Sequence, residues 1–238
     1  MNNLISQCND LMKDCGFSYA ICGGYALELF LNKKIRSHSD VDLSIFEEDR
    51  AAIVKFLISK GWNLYERLNG SLTGQLRLIT DSETVSPLFC IWAIKSDCSF
   101  FKIEPETNTE NIYNYEIISN EQIYLDFIEI LFNKREEDNF VFDSSSSQGK
   151  HITRKLSKAI LYTTKSIPYL APEVKLLMIA NPVYMDSDYH GTKNQTDFEA
   201  VAPKLLKESR DWLINALETA YPDGHKRIEG LKNLEVFG

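Results

Sequence analysis

The sequence predicts an α+β fold, with a mixed α/β sheet in its N-terminal part and helices in its C-terminal part. Near the N-terminus, FSYAIC has the pattern of a short buried strand and GYALELFLN that of an amphipathic helix, with Gly23-Gly24 as the tight turn between them. After Pro172, apolar residues recur at helical spacing in PEVKLLMIA, QTDFEAVAPKLL and SRDWLINALETAY. We therefore place one domain over residues 1–170 and a helical subdomain over 171–238.

The other N-terminal elements follow from their local patterns. A helix is predicted over about residues 2–15, where apolar residues recur at helical spacing. EEDRAAIVKFLISKG predicts a second helix, with acidic residues in its first turn and Gly61 just past its end. The strand candidates are 41–46, WNLYERL, LTGQLRLIT, LFCIWAIK, SFFKIEP, IYLDFIEILFN and FVF. The Ser-rich DSSSSQGK is predicted to be a loop or flap.

The charge balance limits the classes of partner. The formal net charge is −8 and the sequence pI is about 5.1. A general nucleic-acid-binding protein needs a basic face to neutralise phosphates, so this balance argues against nucleic acid as a partner. It suits a small organic substrate, including a cationic one.

The sequence also predicts a cytoplasmic protein that does not contact a membrane. The N-terminus lacks the basic and apolar regions of a signal peptide, and no apolar run approaches transmembrane length. The five cysteines are odd in number, which argues against a disulfide framework. With four histidines and no close Cys-x-x-Cys, a structural zinc site is not expected.

Two aspartates provide the main chemical signal. Asp40 and Asp42 alternate with apolar residues at the start of a predicted strand, so both side chains project from one face. Paired hard oxygen ligands suit Mg²⁺, and two such ions roughly 4 Å apart can promote an in-line displacement at phosphorus. The Gly23-Gly24 turn would let backbone N–H groups and a helix N-terminus approach a phosphate. Together these features predict a phosphoryl-transfer site.

A two-metal site needs more than two carboxylates, so we expect a third on a neighbouring strand. IYLDFIEILFN offers Asp126 and Glu129. They are three residues apart and face opposite sides of a regular strand, so only one can point into the site. A carboxylate in so apolar a run needs a cation or a hydrogen-bond donor when it is buried. On these grounds alone both candidates stay open.

These segments resemble the nucleotidyltransferase superfamily that shares the DNA polymerase β type of catalytic core. Its members carry Gly-Gly or Gly-Ser at a strand-to-helix turn, followed by Asp-x-Asp or Asp-x-Glu on the next strand. The run GGYALELFLNKKIRSHSDVDLSIF is similar to the aminoglycoside 2″-adenylyltransferase and lincosamide nucleotidyltransferase branch, in which an aromatic like Tyr25 and an Arg-x-His like Arg36 and His38 recur. The resemblance is strong over 17–46 and looser over 168–225, where the segments look like the helical part of that branch.

The resemblance implies a nucleotidyltransferase fold and an enzyme. It implies metal-dependent transfer of NMP, with AMP favoured, from NTP to a hydroxyl of a small molecule, as in aminoglycoside or lincosamide resistance. The implied cofactor is Mg²⁺, with an NTP, ATP favoured, as co-substrate. Asp40 and Asp42 would be metal ligands and catalytic residues. Glu129 is favoured as the third, because its place before Leu131 and Asn133 resembles the pattern of relatives, and Asp126 is the second candidate.

Further residues are candidates for nucleotide binding, along with Gly23 and Gly24. The planar fork of Arg36 suits triphosphate oxygens. His38 belongs either to the metal-binding turn or to a hydrogen bond that braces the loop, and Ser39 caps the turn. Lys193 would reach a phosphate from the helical part, although a solvated helix face is the simpler reading.

The sequence departs from the pattern of its relatives at two positions, and it leaves two alternative functions open. Relatives often carry a Lys where this chain has Ile179 and an acidic residue where it has Asn194, which weakens the case for nucleotide contacts from the C-terminal part. One alternative is a toxin-like nucleotidyltransferase acting on a protein or tRNA, and the acidic charge counts against tRNA only. The other is a non-catalytic nucleotide-binding module of the same fold. The intact pair of Asp40 and Asp42 argues against it.

Overall fold

The structure of the protein, a computed structural model, describes residues 3–80, 90–107, 109–142, 151–181, 185 and 188–234. The chain forms two compact units: unit 1 is Met1–Ile21 with Ser37–Asn133, and unit 2 is Cys22–Arg36 with Lys134–Gly238. A compact unit need not coincide with a catalytic or a helical domain, so the boundary near residue 170 stays a prediction. The predicted Ser-rich loop at 143–150 lies outside the described residues.

The described helices, in chain order, are α1 (Asn3–Met12), α2 (Gly23–Leu31), α3 (Arg50–Ser59), α4 (Leu156–Ala159), α5 (Pro172–Met178), α6 (Asp188–Val201), α7 (Lys207–Ala220) and α8 (Lys226–Lys232). The described strands are β1 (Tyr19–Ile21), β2 (Val41–Phe46), β3 (Asn63–Arg67), β4 (Thr73–Leu78), β5 (Cys90–Ile94), β6 (Phe101–Pro105), β7 (Ile112–Ile117), β8 (Phe127–Glu136), β9 (Asn139–Phe142), β10 (Ile152–Lys155), β11 (Ile160–Tyr162) and β12 (Pro168–Leu170). Short 3₁₀ turns at Glu47–Asp49 and Ala202–Lys204 precede α3 and follow α6.

Unit 1 is built around a mixed sheet with the strand order β1-β2-β8-β5-β3-β4-β7-β6. β2 and β8 are parallel, and the other neighbouring pairs in this series are antiparallel. The first half of β8 is a nearly continuous apolar run because that strand lies between β2 and β5 in the interior of the sheet. The predicted α+β class with a mixed sheet is confirmed.

One face of this sheet carries an aromatic core. Its buried members are Tyr65, Leu76, Trp92, Ile94, Phe100, Phe101, Tyr115 and Phe127. The rings of Phe101 and Phe127 meet edge to face, with centroids 4.8 Å apart. This packing holds β8, the strand next to β2, and β5 on its other side in a rigid arrangement.

The sequence-based prediction does not include all the strands. It omits β7, although Tyr113, Tyr115 and Ile117 alternate with polar residues and pack in the aromatic core. It also omits β10, β11 and β12, which have only three or four residues each.

Unit 2 has a helical C-terminal part, as predicted. α5 packs against α2 and α7, and the shared core includes Leu27, Leu176 and Leu217. The predicted helix over 195–206 is wrong at its end, because α6 stops at Val201 and a 3₁₀ turn follows. Pro203 lacks an N–H and disfavours the helical conformation of the residue before it.

No helix in the described part of the chain combines the length and the apolar character that a membrane span requires.

Candidate metal and catalytic site

Three carboxylates converge on neighbouring strands of unit 1. Asp40 lies directly before β2, Asp42 lies within it, and Glu129 lies in β8. Asp42 and Glu129 are Cα partners in the parallel β2–β8 pair, so their side chains leave the same face of the sheet. One oxygen of each carboxylate lies within 4.8 Å of the other two. We call Asp40, Asp42 and Glu129 the carboxylate cluster.

The alternative third carboxylate, Asp126, is engaged elsewhere. It directly precedes β8, and its Oδ2 accepts hydrogen bonds from the backbone N–H and the hydroxyl of Ser99, at 3.0 and 3.1 Å. The structure therefore brings Glu129, and not Asp126, to the two aspartates. That these carboxylates bind metal or take part in catalysis stays a prediction.

The carboxylate cluster concentrates negative charge where water is partly excluded. Burial raises the pKa of Glu129, and the charge of Asp40 raises it further. Hydrogen bonds from Trp92 and Cys90, together with the positive charge of Arg67, act against this shift without cancelling it. A cation at this position would remove the mutual repulsion of the carboxylates.

Sequence reasoning missed three neighbours of Glu129. Trp92, its Cα partner in β5, donates its indole N–H to Glu129 Oε1 at 3.1 Å. Cys90 also hydrogen-bonds Glu129, and burial is the main reason that the pKa of this thiol rises to about 12. The Arg67 guanidinium carbon lies 5.3 Å from the Trp92 ring centroid. The alternation in CIWAI places Cys90 and Trp92 on one face, but only the strand pairing shows that Glu129 shares it.

The segment before Asp40 is held by Gln122, a further residue that sequence reasoning missed. Gln122 is buried, and its amide nitrogen donates to the backbone carbonyls of Ser39 and Phe127, both at 3.1 Å. The Ser39 hydroxyl in turn donates to Asp40 Oδ1 at 3.2 Å. Gln122 thereby ties the residue before Asp40 to the first residue of β8. Its partners are distant in sequence, so no local pattern identifies it.

The candidates for phosphate binding at the glycine turn lie in unit 2. α2 begins at Gly23, whose φ of 64° favours glycine, and Gly24 is buried in the first turn. The predicted turn is present, and its contact with phosphate stays a prediction. His38 is buried in unit 1. Burial is compatible with both of its predicted roles.

Arg36 forms an ion pair within unit 2, and its contact with a triphosphate stays a prediction. Its Nε and Nη2 donate to the two carboxylate oxygens of Asp197, each at 3.0 Å, and Asp197 is almost fully buried within α6. The bidentate geometry expected for a triphosphate is therefore used inside unit 2. Lys193 lies one turn earlier on α6 and is partly buried. Its contact with phosphate stays a prediction.

The donor set of the carboxylate cluster fits a hard divalent cation. Carboxylate oxygens are the ligands that Mg²⁺ prefers, and three of them leave room for water and phosphate oxygens. Among the described residues, no other group of three or more such side chains has this geometry. A purely structural role is harder to explain, because like charges in contact destabilise a fold.

The N-terminal part of the chain, which includes the two aspartates, matches a known protein family. Residues 4–74 match the sequence model of a family described as aminoglycoside-2″-adenylyltransferase. The predicted resemblance is confirmed. The matched stretch contains Gly23, Gly24, Asp40 and Asp42, and it ends before Glu129. No curated protein matches the chain.

Several solved structures have a similar fold. A lincosamide antibiotic adenylyltransferase, LnuA with lincomycin bound, is 12% identical, with a TM-score of 0.47 over 83% of this chain and 96% of its own. ANT(2″)-Ia in complex with adenylyl-2″-tobramycin is 9% identical, with a TM-score of 0.48 over 90% and 97%. A solution structure of ANT(2″)-Ia is 13% identical, with a TM-score of 0.48 over 92% of each chain. With TM-scores this low, these likenesses carry no argument about function.

Proposed function

We propose that this protein is a metal-dependent nucleotidyltransferase that transfers NMP, with AMP favoured, from NTP to a hydroxyl of an antibiotic. The observation that carries the proposal is the carboxylate cluster, whose oxygens lie within 4.8 Å of one another. The family match over residues 4–74 includes two of its three members and supports an aminoglycoside acceptor. A lincosamide acceptor rests on the resemblance of the run GGYALELFLNKKIRSHSDVDLSIF.

The reaction assigns a task to each carboxylate. A bond forms between the acceptor oxygen and the α-phosphorus, the bond to pyrophosphate breaks, and the hydroxyl proton must go to a base. Glu129 is our candidate for that base, because its carboxylate lies beside the two aspartates that would hold the metal, where the acceptor hydroxyl would meet the nucleotide. Asp40 and Asp42 would hold Mg²⁺ together with it. When bound, Mg²⁺ would supply positive charge that stabilises the transferring phosphoryl group.

The other proposed nucleotide contacts have less structural support. Gly23, Gly24, His38 and Lys193 stay proposed nucleotide contacts. Arg36 also stays a proposed phosphate contact, although its Nε and Nη2 donate to Asp197. The five cysteines are free thiols, which suits the proposed cytoplasmic location.

The test is a pyrophosphate-release assay with Mg²⁺, each of the four NTPs, and a panel of aminoglycosides and lincosamides. We expect release that requires Mg²⁺, one preferred NTP and an accepted antibiotic, with the product heavier by one nucleotidyl group in mass spectrometry. Glu129→Gln should slow release by about 10²-fold, because it removes the proposed base. Attachment of the nucleotidyl group to a protein, instead of to an antibiotic, would favour the toxin-like alternative. Ligand-induced thermal stabilisation by NTP and Mg²⁺ without any transfer would favour the non-catalytic module.

A further inference from the structure

Trp92 lies beside the carboxylate cluster and is hydrogen-bonded to one of its members. It is the Cα partner of Glu129 across the antiparallel β5–β8 pair, and its Nε1 donates to Glu129 Oε1 at 3.1 Å. Only 5% of its surface is exposed. The indole N–H is the only polar group of the tryptophan side chain, and this hydrogen bond satisfies it.

The Trp92 ring is held firmly in place. The centroids of Phe101, Tyr115 and Phe127 each lie 5.3 Å from it, in tilted or edge-to-face arrangements. The Arg67 guanidinium carbon lies 5.3 Å from the same ring. A ring enclosed in this way has little freedom to follow a moving partner. Its N–H is therefore a fixed point for the Glu129 carboxylate.

Glu129 needs such a fixed point more than most glutamates do. Its side chain has three rotatable bonds, and the neighbouring negative charge of Asp40 favours conformations that carry the carboxylate away. A donor on Oε1 opposes that movement and orients the carboxylate plane. The orientation that brings one of its oxygens within 4.8 Å of those of Asp40 and Asp42 is thereby kept.

We propose that Trp92 is a positioning residue, which holds Glu129 in the orientation that metal binding by the carboxylate cluster requires. This inference rests on the proposed function. The competing explanation is that Glu129 merely satisfies a buried indole N–H. The two differ in outcome, because satisfying a donor contributes to stability alone, whereas positioning also contributes to metal affinity and turnover.

The first test is Trp92→Phe, which keeps an aromatic ring and removes the donor. The dissociation constant for Mn²⁺ is measured from the EPR signal of the free ion, with no nucleotide or acceptor present. We expect Mn²⁺ to bind at least about tenfold more weakly, in the range found when residues that orient metal ligands are removed. In the transfer assay kcat should fall by a similar factor while the KM for the antibiotic changes little. Unchanged Mn²⁺ affinity would overturn the proposal.

Trp62→Phe is the matched control. Trp62 is a tryptophan of the same unit that is 4% exposed, and its ring lies against the Lys95 ammonium, 5.2 Å away. The same chemical change there should lower stability and leave Mn²⁺ affinity unaltered. If both variants weaken Mn²⁺ binding equally, the effect is one of packing and the proposal fails.

A second variant covers the case in which Trp92→Phe fails to fold. Replacing Trp92 by the benzothiophene analogue of tryptophan exchanges N–H for sulfur at nearly constant shape. The proposal requires weaker Mn²⁺ binding in this isosteric protein as well, and normal binding would refute it.

Asp42→Asn separates failure of this inference from failure of the proposed function. If it leaves Mn²⁺ binding intact, the carboxylate cluster is not a metal site and the proposed function fails. If it abolishes binding while both changes at Trp92 leave binding intact, only the positioning role of Trp92 is wrong.

Discussion

Two buried carboxylates of unit 2 lie against guanidinium groups, whereas the half-buried carboxylates of the cluster in unit 1 lie close to one another. Glu173 and Asp197 are 2% and 1% exposed, and they lie 2.6 and 3.0 Å from nitrogens of Arg154 and Arg36. In the carboxylate cluster, three oxygens of like charge lie within 4.8 Å. An ion pair balances its charge within the fold. A cluster of one sign leaves a negative potential that a bound cation can balance, so the difference separates structural carboxylates from candidate functional ones.

The same comparison applies to Arg36, which the sequence predicted to contact a phosphate and which lies beside a carboxylate in the structure. Arginine in a polar loop beside Asp-x-Asp suggests a phosphate contact, because the guanidinium fork fits phosphate and carboxylate equally well. The structure shows that a carboxylate, Asp197, takes the fork. Arg36 and Arg154 both form ion pairs within unit 2, and the phosphate contact of Arg36 stays a prediction.

The largest effect should come from Asp42→Asn, which removes one charge from the carboxylate cluster with little change of shape. We expect kcat for nucleotidyl transfer to fall by about 10³-fold or more, because metal stabilisation of the transition state contributes several kcal/mol. Steady-state kinetics measure this loss, and urea unfolding in EDTA checks that the variant stays folded. Near-normal turnover would end the catalytic assignment of Asp42.

Glu173→Gln should show the opposite pattern. It leaves the buried Arg154 with only the exposed Glu208, 3.4 Å away, as a charged partner, and breaking the buried pair costs about 3 kcal/mol. Urea unfolding should report that loss, while kcat per folded molecule stays unchanged. A fall in kcat at constant stability would show that the two classes of carboxylate are not distinct.

Glu129→Gln should change how metal-free stability depends on pH. Because the pKa of Glu129 is raised above its usual 4.5 in the folded protein, the folded state binds more protons than the unfolded state above that pH. The parent chain should therefore lose stability relative to Glu129→Gln as pH rises from about 4.5, by at most about 1.4 kcal/mol per pH unit. Unfolding in EDTA across this range tests the sign. Parallel curves would contradict the upward shift.

The smallest effect is expected at an exposed ion pair of unit 2. Lys232 Nζ lies 3.0 Å from Glu218 Oε1, and both side chains are well exposed. Water and salt screen such a pair, so Glu218→Gln should produce no resolvable change in unfolding midpoint or in kcat. A clear destabilisation would show that exposure alone does not separate important ion pairs from unimportant ones in this protein.

Local patterns were enough to predict several features from the sequence. The period of two that places Asp40 and Asp42 on one face is a property of any strand. The positive φ at Gly23 and the helix that follows depend on neighbouring residues only. The α+β class follows in the same way, from elements whose patterns are each a few residues long.

Tertiary structure alone decided which distant residues meet. The choice between Glu129 and Asp126 depended on the parallel register of β2 and β8, since a shift of one residue would turn Glu129 to the other face. Trp92 reaches Glu129 because β5 pairs with the other side of β8. Arg36 meets Asp197 across 161 residues of sequence. Local periodicity contains no information on such pairings, because long-range contacts are set by how whole elements pack against one another.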